Sequence, residues 1–150
     1  MTPLQEEDEV ACFLLGGRGE WEDLKARLVK SFPDLLFQLV DERTGSNERF
    51  FRLITAQTLK SSSDGSLLAK KPEVDLLLRL AHTTQISEAL ARVGYKRGGK
   101  RILIAAGKKA EVRRLVASGI AKGSRLRSVE LSESEWGRVE EAAILSALRT

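Results

Sequence analysis

The chain contains one cysteine and one histidine. A single thiol, Cys12, excludes an internal disulfide. A zinc site takes about four Cys, His or carboxylate ligands, so one of each leaves too few for the usual sets. No apolar run approaches the roughly 20 residues that cross a bilayer, so no membrane partner is expected. The patterns G-x-x-x-x-G-K-[ST] and G-x-G-x-x-G are both absent. No Ser-His-Asp set, paired carboxylates, internal repeat or low-complexity stretch stands out. The expectation is a protein that is not an enzyme, with no catalytic residue, no metal and no cofactor.

What is present describes an ordinary globular domain. At 150 residues and 42% hydrophobic content the chain, residues 1–150, is one domain. A chain of this length buries about two-thirds of its unfolded surface. The formal charge of +4 permits an anionic partner such as RNA without demanding one. Residues 1–9 are acidic where a signal peptide would be basic and then apolar, which gives the expectation of a cytoplasmic protein. Cys12 sits beside Phe13 and Leu14 and reads as a small buried hydrophobe.

Periodicity predicts strands over 10–15, 35–40, 102–106 and 126–131. It predicts helices over 20–32, from Glu48 onward, over 66–81, from Ile86 to a stop at Gly94, over 109–118 and over 133–148. Pro33 ends the first helix, and Asn47 or Ser46 caps the second, whose inner face is Phe50, Phe51, Ile54 and Thr58. Residues 61–65 read as a loop, and Pro72 fits the first turn of the next helix. Ser132 to Glu135 is a capping box for the last helix. Strands and helices interleave, so the class is α/β (α+β), a small mixed sheet of about four strands covered by helices.

The most informative stretch runs from Leu76 to Leu90. A helix apolar nearly all round must be buried. It breaks at His82-Thr83-Thr84-Gln85 and restarts with Ile86, Ala89, Leu90 and Val93 on one stripe. Thr83 or Thr84 would cap that second helix. A polar joint held between two anchored helices is a good place to bind something. Lys70-Lys71 and Lys96-Arg97-Gly98-Gly99-Lys100-Arg101 flank the helix pair and would form a cationic rim for phosphates if they converge. His82 reads as a hydrogen-bonded joint residue, with stacking on a nucleobase as the other role. The last helix carries Trp136, Val139, Ala143 and Ala147 on one stripe, widened by Ile144, Leu145 and Leu148. It is either a buried terminal helix or a partner surface using Ala143, Ile144, Ala147 and Leu148. Gly16-Gly17-Arg18-Gly19 reads as a strand-to-helix turn; a small nucleotide-utilising enzyme built on that loop is the alternative.

Thr84-Gln85-Ile86-Ser87-Glu88-Ala89-Leu90, then Gly94 and Ile102-Leu103-Ile104, resemble the small kinase-binding subunit of the KEOPS complex. This is the TPRKB-like family of archaea and eukaryotes, and the likeness is to its archaeal type. Ala69 to Leu78 also resembles its central apolar helix. The match covers the middle third of the chain, and elsewhere length and element order agree more than residues do. The resemblance implies a noncatalytic subunit that binds a small atypical kinase/ATPase. The assembly installs threonylcarbamoyl on the adenosine beside the tRNA anticodon. Archaeal members also grip the tRNA 3′ CCA end, which implies RNA contacts at His82, Thr83, Thr84, Gln85 and Ile86. His82 departs from the family pattern, in which that position is more often small. A purely structural adaptor without RNA contact is the remaining alternative.

Overall fold

The computed structural model describes residues 7–16, 21–96 and 98–148. Among these, β1 (Asp8–Leu15), β2 (Leu36–Asp41), β3 (Arg101–Lys108) and β4 (Ser124–Arg125) form one sheet in the order β2-β3-β1-β4. The helices are α1 (Trp21–Ser31), α2 (Glu48–Asp64), α3 (Pro72–Ala81), α4 (Ile86–Val93), α5 (Lys109–Ser118) and α6 (Glu133–Leu148). The helix-covered sheet of the sequence reading is present. All its ladders are antiparallel where a mixed sheet was expected. Parallel pairing reduces to one isolated bridge, Asn47 to Arg127.

Alternation builds two cores from one sheet, since successive side chains leave opposite faces. Val10, Cys12, Val40, Ile102, Ile104 and Ala106 face α2, α3, α4 and α6. Ala11, Phe13, Phe37, Leu39, Leu103 and Ala105 face α1 and α5 through Leu28, Phe32, Val112 and Leu115. Cys12 is buried, and burial pushes its thiol pKa well up, with Glu48 adding to the effect.

Three boundaries differ from expectation for identifiable reasons. Residues 61–64, read as loop, continue α2, because Gly65 in the left-handed region ends it one turn later. Ser61 is buried there and its hydroxyl accepts from Arg79 at 2.9 Å. The helix expected from Ser66 starts only at Pro72, its first residue. The fourth strand shrinks to two residues, displaced to 124–125. Beyond it Arg127 accepts from Glu48 N–H at 2.8 Å instead of joining the sheet.

The charges inside α3 were not read from the sequence. Asp75 and Arg79, at i and i+4, are both buried and paired at 2.7 Å. Asp75 also accepts from Thr58 Oγ1 (2.6 Å) and Leu68 N–H (2.9 Å). Arg79 donates to Ala142 O (3.2 Å), Ser61 Oγ (2.9 Å) and Ser146 Oγ (3.1 Å). One ion pair therefore ties α3 to α2 and α6. Among the described residues no helix is long and apolar enough to cross a membrane.

Candidate functional site

The joint between α3 and α4 is fixed by its backbone. His82 ends α3 at φ 54, ψ 53, the left-handed region usually occupied by glycine. Its N–H donates to Arg79 O at 3.3 Å, and Thr83 N–H donates to Leu78 O at 3.2 Å. That pair of bonds is a Schellman motif, which closes the helix end. The carbonyls of Ala81 and His82 accept from Arg92 Nη1 at 2.9 and 3.1 Å. Gly94 ends α4 for a different reason, close approach: a Cβ there would lie 2.4 Å from Leu90 O.

Thr83 is buried and acts within the joint. Its hydroxyl accepts from Gln85 N–H (3.1 Å) and donates to Glu88 Oε2 (2.9 Å). It thus makes the turn before α4, whose N-cap position is Gln85 without a side-chain cap. The threonine cap expected from sequence is corrected to this arrangement, and Thr83 is removed from the exposed contact set. His82, Thr84, Gln85 and Ile86 do stand together at the surface. Ile86 and Leu90, read as inward, are 52% and 55% exposed, while Ala89 and Val93 alone bury that helix.

The cationic rim does not close around this corner. Lys70 and Lys71 precede α3, and its ten residues place them about 15 Å from the joint. Lys96 lies past the far end of α4, close enough to Asp41 to lower its pKa, after the larger effect of the Arg43 N–H bond. Arg97 lies outside the described residues. Charges beside the joint include Glu88, Arg92 and Glu141. Arg92 pairs with Glu88 at 3.3 Å, and His82 Nδ1 lies 3.4 Å from Glu141 Oε2.

Glu141 belongs to α6, so the joint adjoins the last helix. The capping box predicted there is present: Ser132 Oγ accepts from Glu135 N–H and Glu135 Oε1 from Ser132 N–H. Val139, Ala142 and Leu145 point inward, while Ala143, Ile144, Ala147 and Leu148 are exposed, Ile144 by 55% and Leu148 by 70%. Trp136, Val139, Ala143 and Ile144 line a groove of about 220 Å³ against Gln57 of α2. The buried-helix reading of α6 thus holds for one face, and the other face is exposed.

Sequence reasoning missed Arg92 and Glu141 at the joint. It also missed the buried Glu48, which binds Cys12 N–H at 3.0 Å and Arg125 through two contacts. The i, i+4 spacing of Glu88 and Arg92 was the available signal for the first. Gly16 ends β1, and the rest of the glycine loop, Gly17 to Gly19, lies outside the described residues. No known family model matches the chain, and no curated protein is significantly similar to it.

Proposed function

We propose that this chain is a noncatalytic docking subunit of the KEOPS type, working in the cytoplasm on tRNA threonylcarbamoyladenosine synthesis. The observation that carries the reading is the exposed stripe Ala143, Ile144, Ala147 and Leu148 on a helix whose other face is anchored by the buried Val139, Ala142 and Leu145. Large apolar side chains left exposed in a row suit a protein partner. In this reading the partner is the small atypical kinase/ATPase. The joint offers the tRNA 3′ CCA end a corner of His82, Thr84, Gln85 and Ile86. A single-stranded end is read by stacking and by hydrogen bonds to base edges, and these side chains supply both.

Two experiments test the halves separately. Ile144→Lys/Leu148→Lys is expected to abolish co-purification with the kinase while the protein stays folded; unchanged co-purification moves the interface elsewhere. A tRNA titrated with and without its CCA end is expected to bind more tightly with it, and Gln85→Ala to erase the difference. Equal affinities would remove the CCA claim.

A second reading, a structural adaptor whose joint touches no RNA, is favoured by one observation. Glu88 and Glu141 flank the joint while Lys70, Lys71 and Lys96 stand away from it. The same tRNA titration separates the two.

A further inference from the structure

We propose that the edge made by β4, the segment after it and the first turns of α2 is a phosphate-binding surface for structured RNA. Asn47 holds the two parts together. Its Oδ1 accepts from the N–H groups of Arg49 and Val129, and its Nδ2 donates to Val129 O, each at 3.1 Å. Glu48 N–H donates to Arg127 O at 2.8 Å. Arg49, Arg52, Arg125 and Arg127 are thereby gathered on one surface.

The carboxylates paired within this cluster are Glu48 and Glu130. Glu48 is buried and orders two guanidiniums: Arg125 by contacts of 2.9 and 3.1 Å, and Arg52 at 3.5 Å. Glu130 is 96% exposed and meets Arg49 at 3.5 Å. Arg127 is exposed, and its side chain has no hydrogen bond or ion pair among the described residues. Lys122, also exposed, precedes β4 on the same edge.

The shape selects the ligand. Planar guanidiniums match phosphate oxygens, and these are strung along an edge, which suits a polyanion over a small phosphate. Exposed Ser124 and Ser128 add hydroxyls to the same strip. Val129 is the large apolar side chain exposed there, too little for a membrane anchor, and among the described residues no aromatic platform for stacking bases accompanies it. The contact is then to the RNA backbone, independent of sequence and steeply weakened by salt. It shares with the proposed function only the class of ligand and does not need recognition of the CCA end.

The test is fluorescence anisotropy of the full chain with a tRNA transcript, intact or lacking CCA, at several salt concentrations. Arg127→Glu and Arg49→Glu/Lys122→Glu/Arg127→Glu are compared with the unaltered protein; none of these side chains bonds Glu48, whose contact with Arg127 is to the backbone carbonyl. The triple variant is expected to lose at least about tenfold affinity for both transcripts alike, with a salt slope shallower by about three. Arg127→Glu alone, with no side-chain bond to lose, is expected to lower the slope by about one at unchanged melting temperature. Gln85→Ala is expected to affect the intact transcript only. Unchanged affinity and slope in the triple variant would overturn the proposal and leave the charges as guards against strand pairing at the edge. Loss confined to the intact transcript, or loss of phosphatidylserine-vesicle binding with RNA binding intact, would overturn it as well.

Discussion

Asp75 and Arg79 show how much a single residue can matter inside an apolar helix. Both are desolvated, and their bonds reach α2, α6 and the chain before α3. Removing one member leaves the other charge uncompensated. Arg79→Met is therefore expected to cost about 3–5 kcal/mol, read from urea denaturation midpoints. His82 carries the opposite expectation. Its φ of 54 strains a residue with a Cβ, and its exposed pairing with Glu141 contributes little. His82→Gly should raise stability by about 0.5–1 kcal/mol after allowing for the added freedom of the unfolded chain. If the imidazole stacks on a base, the same variant binds intact tRNA less tightly, so stability and affinity move in opposite directions. Asp41 sets a pH dependence. The Arg43 backbone N–H, then its guanidinium, hold the Asp41 carboxyl below the usual carboxylate range. A lowered folded pKa contributes stability above the unfolded value of about 3.9, and that contribution is lost as pH falls through the folded value. Asp41→Asn should thus be less stable than the unaltered chain near neutrality, with the deficit closing under acid in a series of denaturation curves.

At the scale of elements, α6 separates two kinds of apolar residue that look alike in sequence. Leu145 is 3% exposed and Ile144 is 55% exposed. Leu145→Ala should cost about 2–4 kcal/mol as a core truncation. Ile144→Ala should change stability by less than about 0.5 kcal/mol, so thermal melts of the two variants distinguish the faces. Periodicity in the sequence was enough to find α1, α5 and α6, because each buries a stripe against the sheet or its neighbours. It was misleading for α4, where Ala89 and Val93 go inward while Ile86 and Leu90 stay about half exposed among the described residues. The joint was legible as a break, since no apolar stripe continues through His82-Thr83-Thr84-Gln85. Its burial of Thr83 was not, because that depends on a turn whose hydroxyl partner, Glu88, lies in the next element. Residues 61–64 misled for the complementary reason: serines are turn formers alone, but Ser61 is bound by Arg79 from α3. The arginine edge was invisible because it joins positions near 50 to positions near 125.

Across the whole molecule, the two binding regions proposed for α6 and for the arginine edge sit at different ends of α2. Arg138 lies over the Phe50 ring at 4.3 Å, whereas Arg79 links Ser146 to Ser61. The helices α6 and α2 therefore run in the same direction, and Ile144 and Leu148 lie toward the far end from Arg49. A 17-residue helix is about 25 Å long, so a partner seated on the end of α6 need not reach the arginines. The joint is different. Glu141, which contacts His82, shares a helix face with Ile144 and Leu148, at spacings of three and seven residues. If the partner is the kinase of the proposed function, its cover over that stripe touches the surroundings of the joint. Saturating the chain with kinase should change its affinity for intact tRNA through the CCA contribution alone. Affinity for the transcript lacking CCA, and its salt slope, should stay as they were. Titrations of both transcripts at saturating kinase measure this coupling. A kinase effect of equal size on both would place the partner over the arginine edge, or make it a source of RNA contacts of its own.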